Sequence, residues 1–247
     1  MAEIIAFLSG KGGTGKSSVC AAMATILAKE GKKVLCVDCC VGLPSLEFFL
    51  GMYGEGLLSF RDICRGDYGV EKATAQFAFP SLKILTAPIH CTDAEIDGDA
   101  FAAMLEAARA QFDYIFLDSP GGIGHMFRIA AENADRCIVV TIPDNAANEC
   151  ARRVGQELEL MKKRDVRLII NRVNSVMLKA MHWTVDDIVD HTGLQLLGLL
   201  PVDTDVLEAS AANTCLIEYT KRGAAAAMHR ICQRMQGNPV KIPVRSF

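Results

Sequence analysis

Residues 4–17 form an apolar run, a glycine-rich loop and the start of a helix in immediate succession, and this junction restricts the fold more than any other stretch. Ile4–Leu8 is apolar enough for a strand buried on both faces, and Gly10 stops it. From about Lys16 to Glu30 the pattern is helical, free of Gly and Pro, and Gly31 closes it. Between them lies Gly10-Lys11-Gly12-Gly13-Thr14-Gly15-Lys16-Ser17, a full G-x-x-x-x-G-K-[ST] pattern in the strand–loop–helix setting that it needs. Glycines let successive backbone N–H groups turn inward as an anion nest, and the helix N-terminus adds its positive dipole end. Lys16 is spaced to reach β- and γ-phosphates and the Ser17 hydroxyl to hold Mg²⁺, with Ser18 beside them on the opening turn.

The alternation continues along the chain. Further apolar runs at Val34–Val37, Leu82–Leu85, Tyr114–Leu117, Cys137–Thr141, Arg167–Ile170 and Leu196–Leu200 read as strands. Helical patterns lie near Asp99–Ala110, Ile123–Asn133, Asn145–Lys163, His182–His191 and Lys221–Met235, with shorter signals at Leu58–Cys64 and Val70–Ala75. Strand, helix, strand repeated this often predicts an α/β fold: a mostly parallel twisted sheet with helices on both faces. No linker or repeat divides the chain, so one domain over 1–237 is expected, followed by a short Pro-containing tail over 238–247. Ligands should sit at the carboxyl ends of the strands.

Composition removes several function classes. With 26 Lys+Arg against 29 Asp+Glu, no strongly basic field exists for holding nucleic acid, and strong DNA binding is not expected. The run Arg152, Arg153, Lys162, Lys163 and Arg164 reads as a solvated helix face. No apolar stretch approaches the ~20 residues of a membrane span, and the N-terminal run is too short for a signal core. A cytoplasmic, reduced protein is the expectation, so the 10 cysteines read chiefly as small core residues. Cys36, Cys39 and Cys40 carry C-x-x-C spacing that also suits thiolate ligation, but no second C-x-x-C exists and Cys36 falls within a strand. The five histidines show no zinc spacing.

Lys11, directly after the first glycine of the loop, makes the motif more particular. The segment K-G-G-x-G-K-[ST] resembles the deviant Walker A motif of the MinD/ParA family of P-loop ATPases, and four further segments follow in that family's order. Val37-Asp38-Cys39-Cys40-Val41-Gly42-Leu43 is similar to the first switch, commonly D-x-D-x-G-L. Tyr114–Leu117 followed by Asp118-Ser119-Pro120-Gly121-Gly122 resembles the Walker B strand and second switch. Ile169-Ile170-Asn171-Arg172 resembles the strand end whose asparagine reads adenine, and Gly198-Leu199-Leu200-Pro201-Val202-Asp203 the segment lining the base on its other side. Gly42-Leu43, Ser45-Leu46-Glu47 and Leu50-Gly51 look most like the MinD branch.

The resemblance implies a P-loop NTPase fold of the SIMIBI type. It further implies ATP and Mg²⁺ as cofactors, and an ATP-dependent homodimer in which Lys11 contacts nucleotide across the interface. Lys11, Lys16 and Asp38 would carry catalysis, and Gly10 through Ser18, Asn171, Pro201 and Val202 the nucleotide. Ser17, Asp38 and Asp118 would hold the metal, Asp118 through water; a strand-end aspartate can also cap the next helix, but beside the phosphate loop the metal role is favoured. The implied function is a molecular switch for spatial organisation such as cell-division site placement, with a protein partner that regulates turnover. The alternatives are an iron–sulfur or metal-cluster carrier ATPase and a nucleotide-binding scaffold with little or no hydrolysis.

Two departures stand out. Cys40 occupies the position of the second switch I aspartate, which orients the attacking water. A thiol is a weak acceptor and uncharged below its usual pKa of about 8.5, so slow or partner-dependent hydrolysis is expected. MinD-type proteins usually end in a lipid-binding amphipathic helix. Here Ala225, Met228, Ile231, Cys232 and Met235 form a stripe that suits core packing, and Pro239 and Pro243 disfavour a continuous helix after it. Direct membrane binding is therefore not expected, and any recruitment would pass through a partner.

Overall fold

Side chains on successive strand positions point to opposite faces, so a strand apolar throughout demands cover on both sides. The computed structural model, described over residues 1–243, meets that demand with one eight-stranded sheet. In chain order the first half runs β1 (Glu3–Ser9), α1 (Lys16–Lys29), β2 (Val34–Asp38), α2 (Leu46–Leu50), α3 (Phe60–Cys64), β3 (Thr74–Ala75), β4 (Leu82–Leu85), α4 (Gly98–Arg109), β5 (Tyr114–Gly121) and α5 (His125–Asn133). The second half runs β6 (Arg136–Thr141), α6 (Asn145–Leu160), β7 (Val166–Val173), α7 (Ser175–Ala180), α8 (Val185–Thr192), β8 (Gln195–Pro201), α9 (Asp205–Ala211), α10 (Leu216–Tyr219) and α11 (Gly223–Met235). Strand order is β3-β4-β2-β5-β1-β6-β7-β8, parallel except for β3 against β4. The α/β sheet with helices on both faces is as the sequence predicted.

Alternation along the strands fills two cores. Ile4, Ala6 and Leu8 of β1 and Ile115 and Leu117 of β5 pack with Phe101 of α4, Phe127 of α5 and Val154 of α6. Ile5 and Phe7 of β1 and Phe116 of β5 face the other way, onto α1 and α11. Phe7 and Phe116 meet edge to face at 5.0 Å between ring centroids, a geometry aromatic quadrupoles favour. Met228, Ile231, Cys232 and Met235 of α11 are buried in this second core, as their spacing predicted.

Departures from the sequence pattern are local. Val70–Lys72 forms a 3₁₀ turn instead of a longer helical segment, and the chain then extends as β3, an antiparallel edge. The helix expected from His182 begins at Val185. A capping box between Thr184 and Asp187 starts it there, and His182 takes the left-handed φ of 55°. Four short helices, α2, α7, α9 and α10, were not foreseen. Over residues 236–243, after α11, the chain forms neither helix nor strand, and the Arg234 guanidinium donates to the carbonyls of Leu197, Val240 and Lys241. The last four positions of the Pro-containing tail, 244–247, lie outside the described residues. Among the described residues no helix is long and apolar enough to cross a membrane.

Candidate nucleotide site

β1, β2 and β5 lie side by side in parallel, so their carboxyl ends deliver the loop 10–15, Asp38 and Asp118 to one place. Asp38 and Asp118 are directly paired across β2 and β5. The loop is held close by glycines. Gly15 takes φ 88° at the helix entrance, and a Cβ on Gly121 would stand 2.8 Å from the backbone nitrogen of Gly12. Second-switch and phosphate-loop backbones can therefore touch only because this position carries no side chain.

Lys16 is nearly buried and its ammonium lies 3.6 Å from Asp118 Oδ1. Burial works against that charge, but the acidic groups around it, Asp118 foremost, outweigh it and hold the lysine above its ordinary pKa. Asp118 is fully buried and neither of its oxygens has a hydrogen-bond partner. Desolvation raises its pKa, against the pull of Lys16. Such an orphaned, desolvated carboxylate beside a serine hydroxyl is what a hydrated divalent cation completes, and Ser17, Asp38 and Asp118 fit Mg²⁺ in that sense. No helix-capping bond of Asp118 accounts for it.

Asp38 is placed differently. Its carboxylate accepts from the backbone nitrogens of Cys40 at 2.9 Å, Ser45 at 2.8 Å and Leu46 at 2.9 Å, folding the first-switch loop around itself. Burial first and the neighbouring Asp118 second push its pKa up to about 6, despite those three donors. The Ser45 hydroxyl is 3.4 Å from that of Ser17, so Ser45 ties the switch to the phosphate loop. Cys40 is half-buried, and its thiol points at the Asp118 carbonyl 3.9 Å away. Burial and the two carboxylates drive its pKa far up, so it is a neutral thiol at physiological pH.

Asn171, at the end of β7, donates from Nδ2 to the Thr14 carbonyl at 2.9 Å, and its Oδ1 accepts from the Arg172 nitrogen. Here the side chain braces the phosphate loop. It also lines, with Ser18, Pro201 and Val202, a cavity of about 300 Å³ beside the loop, so the residues assigned to the base do converge. Lys11 stands apart from Lys16. Its side chain is 44% exposed and its ammonium lies 3.1 Å from Asp144 Oδ1. Asp144 caps α6 through the Ala147 nitrogen, and that bond first, then Lys11, holds its carboxyl below the usual range.

Asp144 and Ser45 are the site residues that sequence reasoning passed over. The signal for Asp144 was its position as the polar residue opening a helical run after Ile142-Pro143, an N-cap signature. The cysteine chelate does not form: Cys36 packs in one core and Cys39 in the other, on opposite faces of the sheet. The basic run is neutralised in part, since Arg152 and Arg153 both bond Glu149, and Lys163 donates to the carbonyls of Glu132 and Ala134.

A family model described as ParA, NUBPL iron-transfer P-loop NTPase, matches residues 1–236. The chain belongs to the MinD/ParA family of P-loop ATPases. It is 31% identical to the septum site-determining protein MinD of Bacillus subtilis over 248 aligned residues, covering 99% of this chain and 92% of that protein. A solved MinC:MinD cell division protein complex from Aquifex aeolicus superposes with a TM-score of 0.90 at 31% identity, covering 98% of each chain. MinD of Pyrococcus horikoshii, solved with Mg-ADP, shares the fold at a TM-score of 0.80 and 23% identity over 95% of this chain and 96% of that one. Membership of this family makes the chain a P-loop ATPase. The separated faces of Cys36 and Cys39 give no support to cluster carriage.

Proposed function

We propose that the chain is an ATP-driven dimeric switch of the MinD type, serving division-site placement and acting through a protein partner. The observation that carries the reading is the gathering of Lys16, Ser17, Asp38 and Asp118 under a glycine loop, with Lys11 left outside on an exposed edge. Lys16 rests on Asp118. Phosphates arriving at the loop would draw the ammonium to themselves, and backbone N–H groups of residues 12–17 would take up the remaining charge. Mg²⁺ held by Ser17, and through water by Asp38 and Asp118, would neutralise the charge that develops on the phosphates. Adenine would enter the cavity lined by Asn171, Pro201 and Val202.

Lys11 would leave Asp144 for the phosphates of a second copy, closing the dimer. Because Asp38 bonds the backbone of Ser45 and Leu46, any shift at the phosphates would pass into the first-switch loop and α2, a surface suited to reporting nucleotide state to a partner. The Aquifex MinD likeness is to a chain in complex with MinC, which supports a protein partner here. Cytoplasmic residence with recruitment to the membrane through such a partner fits the same reading. With Cys40 neutral beside the site, turnover would be slow until a partner assists.

ATP affinity, phosphate release and sedimentation, measured on the same preparations of the natural chain, Lys11→Ala and Lys16→Ala, test the proposal. Lys16→Ala should lose nucleotide binding, whereas Lys11→Ala should bind ATP as a monomer. Failure of the natural chain to bind ATP, or association that ignores Lys11→Ala, would sink it.

A further inference from the structure

The first turns of α6 face α8, and the corner that precedes it, across a second cavity of about 590 Å³. Asn148, Trp183, Asp187 and Ile188 are among its walls, and it shares no residue with the cavity beside the phosphate loop. Its size falls within the range of about 300–1,000 Å³ that suits small molecules. Trp183, half-buried, is the sole tryptophan of the chain and offers a flat apolar face.

The polar groups on these walls are selective. Asn148 is only 1% exposed. Thr141 Oγ1 donates to its Oδ1 at 3.0 Å, but its Nδ2 has no hydrogen-bond partner among the described residues. A buried donor in that state has lost its water and gained nothing in exchange, so the wall calls for an acceptor atom. Asp187 stands at the exposed rim. Its Oδ2 takes both bonds of the Thr184 capping box, which leaves Oδ1 to accept from a ligand. Glu149, the other carboxylate of the cavity, is already matched by Arg152 and Arg153.

These groups exclude simple ions. No lysine or arginine lines the cavity among the described residues, and its two imidazoles, His182 and His191, share the walls with two carboxylates. A phosphate or carboxylate ligand therefore meets no net positive charge. An ammonium or guanidinium carries only donors and would leave Asn148 Nδ2 unpaired. A neutral flat ring with a carbonyl beside an N–H meets both needs, with Trp183 and Ile188 covering its apolar surface.

We propose that this cavity binds an uncharged lactam heteroaromatic of the oxopurine nucleoside class. The ring lies against Trp183, the lactam oxygen accepts from Asn148 Nδ2, and the lactam N–H donates to Asp187. An aminopurine on the same edge turns an amino group toward Asn148 and a ring lone pair toward Asp187, so both contacts become mismatches. The inference is independent of the nucleotide-binding reading, because the two cavities have no wall in common.

Trp183 emission reports this cavity without a label. The test is titration of the full chain with inosine and, separately, with adenosine, which differ only in that edge. The expected result is a saturable change with inosine in the millimolar range or tighter, and a response to adenosine at least about tenfold weaker. Asn148→Leu should weaken inosine by about tenfold and Asp187→Ala by about fivefold, with the circular dichroism of each variant unchanged. If Asn148→Leu does not fold, Asp187→Ala decides, since its side chain sits at the rim. No saturable change at millimolar inosine, equal responses to the two nucleosides, or undiminished inosine binding in a folded variant overturns the assignment.

Discussion

Lys11 and Asp144 form an ion pair, 3.1 Å from ammonium to carboxylate, across the mouth of the phosphate loop. The two residues are 133 positions apart, and β6, lying next to β1, brings them together. Both side chains are more than two-fifths exposed, so the pair is worth about 0–1 kcal/mol and is screened by salt. A pair this weak would yield to a nucleotide phosphate, as the proposed dimer requires.

Asp144→Asn isolates this pair, because asparagine keeps the N-cap of α6 while losing the charge. Stability should change by no more than about 0.5 kcal/mol. ATP-dependent association should tighten by up to about thirtyfold at low salt, because each dimer formed releases two such surface pairs of about 0–1 kcal/mol. The difference should vanish near 1 M salt, where the Debye length is about 3 Å. Sedimentation equilibrium across a salt series measures both. Weaker association at low salt would show that Asp144 contacts the second subunit directly.

Gly15→Ala should damage the loop in two ways. At φ 88° an L-residue is strained, and the new Cβ would land on Asn171 Nδ2, breaking its bond to the Thr14 carbonyl. A cost of about 1–3 kcal/mol is expected from the backbone alone. Gly12→Ala is the control for stability, since a Cβ there meets open space at an ordinary φ, and its melting temperature should match the natural chain. Calorimetry of the three proteins without nucleotide reads the difference.

The parts of this site that could be read from sequence are those whose chemistry is local. The phosphate loop needs its glycines and Lys16 in consecutive positions, and Asp118 declares itself by following the apolar run Tyr114–Leu117. The Asp144 partnership was hidden because it depends on which strands neighbour β1, and no short window encodes strand order. Asn171 is a similar case: its place in the last β7 residues was legible, but its bond to Thr14 depends on how the β7 end turns, with Arg172 at φ 55°. The short helices α2, α7, α9 and α10 are not legible in the sequence because four to seven residues carry too little periodicity.

Asp38 predicts a pH dependence whose sign follows from its pKa, raised to about 6, against about 3.9 for an unperturbed aspartate. The folded chain binds this proton more tightly than the unfolded chain does. The contribution to stability is therefore full below about pH 4, is lost as pH rises to about 6, and is constant above that. Its size is on the order of 3 kcal/mol. Asp38→Asn should lack this decline, so urea titrations of the two nucleotide-free proteins, taken in steps from pH 4 to about pH 7, should diverge through the interval. Parallel curves would mean that Asp38 ionises normally.

Cys40→Asp sets function against stability in the same cluster. A carboxylate at this position could orient and polarise water, and groups that act on a transferred proton contribute about 10²–10⁴-fold to a rate. Even part of that would raise Mg²⁺-dependent phosphate release by about tenfold or more, read in a steady-state assay without partner. The same substitution would put a third carboxylate beside Asp38 and Asp118, with Lys16 as the one cation paired to the cluster among the described residues. The nucleotide-free variant should therefore melt lower than the natural chain and gain more from added Mg²⁺ and ATP. A neutral thiol at this position avoids that repulsion. Equal rates with and without the substitution would show that Asp38 or Asp118 already orients the water.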